Sequence, residues 1–205
     1  MVWLVAGLGN PGPKYAKNRH NVGFMVIDEL SRRHNLGPFR QKLGAEAASG
    51  IAAGQSVLLV KPMEFMNRSG FAIQRHAQYR DIDPEHILVV HDEIDLDFGR
   101  LKVKSGGGHG GHNGLRSIIA QIGSRDFARV RVGVGKPPGG PTGYGDKRVA
   151  HYVLSDFPSA LANDVEDVVN AAADAVEVAL RDGVTASMNE FNGREIVSIP
   201  DTKAD

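Results

Sequence analysis

The sequence predicts a three-layer α/β sandwich, in which helices flank both faces of a twisted, mixed and mostly parallel sheet. Short apolar runs of strand length recur along the chain and are bounded by glycine and proline. Segments with an apolar period near 3.6 alternate with these runs, as crossover helices between parallel strands do. A length of 205 residues suits one domain with a sizeable core.

Val2–Leu8 is an apolar run closed by glycine and proline, hence a buried first strand. Val22–Arg33 follows as a helix with Val22, Met25, Val26 and Leu30 on its inner face. Ala45–Ala53 and Val57–Lys61 form a strand pair turning at Gly54-Gln55. Ser69–Tyr79 is a second helix and Ile87–His91 a buried central strand. Arg100–Lys104 alternates, with Leu101 and Val103 on one face and the cations on the other. Gly114–Ile122 is a third helix. Phe127–Val134 alternates again, with Val130, Val132 and Val134 inward and Arg129 and Arg131 opposite. The longest helix spans Ser159–Arg181 and ends at Gly183; a short one covers Thr185–Phe191. Residues 1–192 are read as one domain, 193–205 as a flexible polar tail, and Gly135–Gly145 as a mobile Gly/Pro-rich loop.

No apolar stretch approaches the roughly 20 residues needed to cross a bilayer, and the first 20 residues contain no uninterrupted signal-peptide core. The absence of cysteine excludes disulfides, thiolate metal sites and a thiol nucleophile, and fits the cytoplasm. The net charge of zero hides an asymmetry. Residues 1–150 carry 21 Lys+Arg against 13 Asp+Glu, whereas residues 151–205 carry 3 against 11. A basic body suits an anionic partner bound on one face, although a merely solvated surface has the same charge count.

Gly7-Leu8-Gly9-Asn10-Pro11-Gly12 has the G-x-G-x-x-G spacing of a dinucleotide site. The pyrophosphate would need a helix to open within the motif, yet the next helix starts only at Val22. A turn projecting Asn10 fits better. His20, at the mouth of that helix, and Asp92, after the central strand, can form a base and its orienting carboxylate. With no G-x-S-x-G elbow and no cysteine, such a pair implies water as the nucleophile. His109 and His112 with Asp92 could bind metal, but a glycine loop does not hold imidazoles at ligand spacing and no H-E-x-x-H is present. Asn113 is either the N-cap of the third helix or a ligand amide. Lys102 and Lys104, repeated by Arg129 and Arg131, are either solvated strand faces or a phosphate cradle. Phe65, Met66 and Asn67 are either core and cap, or an adaptable apolar wall with an amide at its edge.

GLGNPG, NRHNVGF, KPMEFMNRSG, HDEIDL and GGGHGGHNGLRSI, in this order and spacing, resemble the signature of bacterial peptidyl-tRNA hydrolases, with the similarity running from Val2 to about Asn192. The resemblance implies a monomeric enzyme needing no metal or other cofactor, which hydrolyses the ester joining a peptide to the 3′-terminal ribose of tRNA. Its partner would be peptidyl-tRNA, with no membrane involved. By position, it implies catalytic roles for His20 as base, Asp92 as its partner, and Asn10 and Asn113. It implies substrate contacts for Asn67, Tyr15, Met66 and Asn113, and tRNA phosphate contacts for Lys102, Lys104 and Arg131. The alternative is a non-catalytic RNA-binding protein on the same fold.

Overall fold

The run at Val2–Gly7 forms a central strand, β1, with parallel neighbours on both sides: β4 (Gln55–Pro62) and β5 (Ile87–Glu93). The computed structural model describes residues 1–139 and 143–198. With β2 (Arg40–Lys42), β3 (Ala45–Ala52), β6 (Leu101–Ser105) and β7 (Ala128–Gly133), the sheet order is β2-β3-β4-β1-β5-β7-β6. The four middle strands, β4, β1, β5 and β7, are parallel. The flanks are antiparallel, β2 and β3 on one side and β6 on the other.

The middle strands are apolar because helices cover both faces. Helices α1 (Val22–Arg33) and α5 (Ala162–Asp182) bury Val26, Ile27, Leu30 and Val176 with Leu88, Val90 and Val130 of the sheet. Helices α2 (Ser69–Arg80) and α3 (Asn113–Ile122) bury Ile73 and Ile118 with Leu4, Val60 and Val89 on the opposite face. Each such side chain contributes about 1.5–3 kcal/mol on burial.

Two elements were not anticipated. Strand β2 reads Arg-Gln-Lys, all exposed, and has no apolar alternation; pairing with β3 alone makes it a strand. Helix α4 (Lys147–Val153) follows the Gly/Pro-rich loop, capped by Asp146, whose side chain accepts from the Arg148 N–H at 2.8 Å. Helix α5 starts at Ala162, after a 3-10 turn at Ser159–Leu161, and α6 spans Val184–Phe191. The open edge of β6 is covered: the Asn192 side chain accepts from the Val103 N–H and donates to its C=O, at 2.6 and 3.0 Å. Beyond it, the Ile196 N–H donates to the Gly99 C=O at 2.8 Å. The rest of the expected tail, 199–205, and 140–142 of the loop lie outside the described residues.

Two close helix approaches set up the mouth of the sheet. A Cβ on Gly7 would lie 2.2 Å from the Gly23 carbonyl oxygen, and one on Gly23 would lie 2.4 Å from the Leu8 nitrogen. Only paired glycines let α1 cross β1 so tightly, and this crossing carries the turn before α1 over the carboxyl end of β5. Gly7 and Gly9 of the glycine motif therefore serve close packing against α1, a role the sequence reading of a turn projecting Asn10 did not include, while Gly12 has open space around it. Similarly, a Cβ on Gly70 would meet the Ser117 carbonyl at 2.2 Å, and the Gly70 N–H donates to Ser117 Oγ at 3.0 Å. The N-termini of α2 and α3 thus lie side by side.

Candidate active site

Strand β5 runs two residues beyond its expected end and so buries Asp92 completely at the carboxyl edge of the sheet. His20, in the 3-10 turn that precedes α1, places Nδ1 2.7 Å from Asp92 Oδ1. That turn is held from outside. Arg19 donates to Ser155 Oγ at 2.7 Å and to the Asp156 carbonyl at 2.8 Å, its guanidinium 4.2 Å from the Tyr152 ring centre. Asn18 Nδ2 donates to Asp156 Oδ1 at 2.8 Å. With the Nδ1–H of His20 given to the carboxylate, its Nε2 keeps a lone pair on the cleft side.

His112 completes the network in a way the sequence did not suggest. It, and not Asn113, caps α3: its Nδ1 accepts from the Gly114 and Leu115 N–H groups at 3.1 and 3.4 Å. The Nε2 must then carry the proton, and it donates to Asp92 Oδ1 at 3.0 Å. Tyr144 donates to Asp92 Oδ2 at 3.1 Å. Burial alone would raise the Asp92 carboxyl, but the adjacent imidazoles, His20 before His112, hold it well below the usual carboxylate range. His91, also on β5, packs edge-on to His112 at 5.0 Å and donates from Nδ1 to the Asp92 carbonyl at 2.7 Å. Burial, reinforced by His112, drives its imidazole well below its ordinary range, so His91 stays neutral.

Among the described residues, His20, Asp92 and His112 form the group that could hold a metal ion, since their ligand atoms lie within 4.8 Å of one another. The donor set does not fit one. His112 Nε2 is committed as a donor by the backbone amides on Nδ1, and both rings converge on one carboxylate oxygen at hydrogen-bond distance. This is a proton network.

The network opens into a solvent-accessible cleft that includes Asn10, His20, Met66, Asn67, Asn113 and Tyr144 in its lining. Asn10 is locked by Asn21, which accepts from its N–H and donates to its C=O, both at 2.9 Å. Asn10 Oδ1 accepts the Met66 N–H at 2.8 Å, which leaves its NH2 for a ligand. Released from capping, Asn113 is exposed beside Asn67, also exposed, as the α2–α3 packing requires. Gly114 lets this happen: a Cβ there would strike Met66 Sδ at 2.7 Å and Leu8 Cδ1 at 2.8 Å. Phe65, Val153 and Leu154 form the apolar side of the cleft. Tyr15 stands one ring behind, edge-on to Phe65 at 6.5 Å.

The cations divide into three kinds. Lys102 and Lys104 of β6 sit opposite Arg131 and Arg129 of β7. Among the described residues, Lys102 and Lys104 have no ion pair, whereas Arg131 forks onto Glu93 Oε2 at 2.8 and 3.0 Å. The expected exposed face at Arg129 is corrected: Arg129 is buried against Phe127 and donates to the Gly107 and Gly108 carbonyls. It braces the glycine loop and is not available to a phosphate. Lys104, Arg131, Glu93 and His109 border a separate polar depression beside β5. Asn21, Arg19, Tyr144 and the orienting role of His112 were missed; the polarity of Asn18-Arg19-His20-Asn21 before an apolar helix pointed toward the first two, and His112 was set beside Asp92 only as a candidate metal ligand.

A family model described as peptidyl-tRNA hydrolase matches residues 4–198. The chain is 48% identical over 191 residues to a peptidyl-tRNA hydrolase of Rhodococcus jostii, covering 92% of this chain and 97% of that one. It is 47% identical over 187 residues to one from Mycolicibacterium smegmatis, covering 91% and 95%. The crystal structure of peptidyl-tRNA hydrolase from Acinetobacter baumannii superposes with a TM-score of 0.86 at 34% identity, over 96% of this chain and 97% of that one.

Proposed function

The chain belongs to the peptidyl-tRNA hydrolase family, and from that premise we propose that it hydrolyses the ester between a peptide and the 3′-terminal ribose of tRNA, with His20 as general base. The observation that carries the reading is the buried His20–Asp92 pair, 2.7 Å apart, at the floor of a cleft ringed by the amides of Asn10, Asn67 and Asn113.

His20 Nε2 takes a proton from water as the water oxygen attacks the ester carbonyl carbon. Asp92 holds the ring in the required tautomer and stabilises the imidazolium that forms. Negative charge then gathers on the carbonyl oxygen, and the exposed amide of Asn113, with the free NH2 of Asn10, supplies donors at the mouth of the cleft. Collapse of the tetrahedral species breaks the bond to the ribose oxygen, which leaves with the proton returned by His20. An ester's leaving group requires no metal. Asn67 and the apolar side with Met66, Phe65 and Tyr15 suit a peptide of any sequence, because amides pair with main-chain N–H and C=O groups. Lys102, Lys104 and Arg131 lie on the adjacent sheet edge and suit the phosphates of the tRNA body. Residues 1–192 act as one domain, as a monomer in the cytoplasm. No helix among the described residues is long and apolar enough to cross a membrane. The non-catalytic RNA-binding alternative has no observation in its favour.

The test is release of free tRNA from a purified peptidyl-tRNA, with and without a chelator, by the wild type and by His20→Ala. We expect turnover that is indifferent to the chelator and reduced by roughly two to four decades in the variant, with tRNA affinity retained. Near-wild-type activity in His20→Ala sinks the mechanism.

A further inference from the structure

Asp92 accepts three side-chain hydrogen bonds, and only two come from histidines. The third comes from Tyr144, on the segment leading into α4, whose hydroxyl reaches Asp92 Oδ2 at 3.1 Å and the Asp92 carbonyl oxygen also at 3.1 Å. The tyrosine is seated for this. Its ring lies edge-on to His112 at 5.1 Å, and its Cβ packs tightly over Gly111, 3.2 Å from an ideal Cβ at that position. Gly111 has φ 89°, so it both turns the loop and leaves room for the ring. Burial, with the charges of Asp92 and Glu93, pushes the phenol well above its usual range, so Tyr144 remains a donor wherever the enzyme works.

Resting on the reading of His20 as the base, we propose that Tyr144 is a positioning residue for the hydrolysis: its hydroxyl shares the charge of Asp92 and sets how strongly that carboxylate holds a proton on His20. The charge has few other outlets. Asp92 is fully buried; it is faced by His20 from the turn before α1, by His112 from the cap of α3 and by Tyr144 from the segment before α4. On β5 itself, His91 is neutral and Glu93 is paired with Arg131. A hydrogen bond donated to a carboxylate spreads its charge, and losing the donor leaves more of that charge directed at His20. Without the hydroxyl, His20 should keep its proton to higher pH and be a stronger base once it has lost it.

The experiment compares wild type, Tyr144→Phe and Tyr144→Ala by the pH dependence of kcat/KM on peptidyl-tRNA and by the ¹⁵N-histidine NMR titration of His20. Tyr144→Phe should move the acid limb and the His20 midpoint upward together, by about half to one pH unit. Its kcat/KM should fall about three- to tenfold on the acid limb and match or exceed wild type on the alkaline plateau, so that the two profiles cross. KM should be unchanged in the phenylalanine variant. If Tyr144→Phe leaves both the limb and the midpoint in place while Tyr144→Ala is impaired, the ring merely covers the network and the proposal fails. A uniform loss at every pH with an unmoved midpoint overturns it equally. The NMR arm separates this inference from the reading beneath it, because an active His20→Ala enzyme would refute the base while leaving the Tyr144–Asp92–His20 coupling measurable.

Discussion

Replacing Asp92 by Asn isolates the charge of the carboxylate from its shape. The new amide can keep its carbonyl oxygen toward His20 and His112, which lie 2.7 and 3.0 Å from the native Oδ1. Its NH2 can turn to the Tyr144 hydroxyl, which can accept. The network survives and the negative charge disappears. An opposite charge within about 4–6 Å shifts a titrating partner by roughly 1–3 pH units, or about 1.4–4 kcal/mol between the two protonation states. Complete burial of Asp92 removes the screening that would shrink this at a surface. Since the transition state carries a large share of the imidazolium charge, kcat should fall about 10- to 1000-fold, less than for His20→Ala. KM should hold, because Asp92 is shielded from the substrate. The sign of the pH effect is fixed. Without the carboxylate the imidazolium is less stable, so the acid limb of the kcat/KM profile moves to lower pH, and the deficit is smallest at the acid end. Steady-state rates on peptidyl-tRNA between about pH 5 and 9, with melting temperatures to establish folding, would measure it. An unmoved acid limb, or a loss carried by KM, would refute the claim that Asp92 acts through the charge it presents to His20.

Lys102→Ala or Lys104→Ala should raise KM for peptidyl-tRNA and reduce its salt dependence by roughly one counterion each, while a minimal ester on a short RNA end is nearly indifferent. Arg131→Ala should cost more on both substrates, because it also strands the Glu93 carboxylate. Asn67→Ala should narrow the preference for peptidyl- over aminoacyl-tRNA, measured as a ratio of kcat/KM. Asn10→Ala should do the same and also lower stability by about 1–3 kcal/mol, since the Met66 N–H loses its acceptor. His91 is neutral in the fold but takes up a proton near pH 6.5 when unfolded, so its contribution is present above that pH and lost as pH falls. The free energy of urea unfolding should therefore fall more steeply from about pH 7 to 5 in wild type than in His91→Asn, by up to about 1.4 kcal/mol per pH unit, with His76, also depressed by burial, contributing equally to both. An equal slope in both proteins would show that His91 titrates freely.

The layers of this fold were legible because they rest on periodicity, which is local. The apolar runs Val2–Leu8 and Ile87–Val90 announce buried parallel strands by having no polar alternation, and α1 and α5 announce themselves by spacing, whereas the polar end of β5 at Asp92 and Glu93 gave no such signal. Arg40–Lys42 gave no such signal, because an exposed edge strand is defined by its neighbour and not by its own side chains. Helix α4 was hidden for a related reason: seven residues with two buried positions leave too short a stripe to register, and only the Asp146 cap marks its start.

At the site, motifs give residue identities readily but say little about which polar atom is already spoken for. Asn113 has the chemistry of an N-cap, and sequence alone left it divided between that and ligand binding. The division is resolved by its neighbour: His112 satisfies the α3 N–H groups through Nδ1, which frees the Asn113 amide and commits the Nε2 proton to Asp92 in one step. Arg129 and Arg131 look equivalent two residues apart on β7, yet one closes a glycine loop from within and the other answers Glu93 at the rim. In both cases the deciding quantity is the remaining hydrogen-bonding capacity after the fold has taken its share. The proposed mechanism then rests on the atoms left over, the lone pair of His20 and the free NH2 of Asn10. A substitution that releases a sequestered donor should therefore perturb catalysis as much as one that removes a ligand group. His112→Ala would strand the first N–H groups of α3, and Asn113 would be drawn back to cap them.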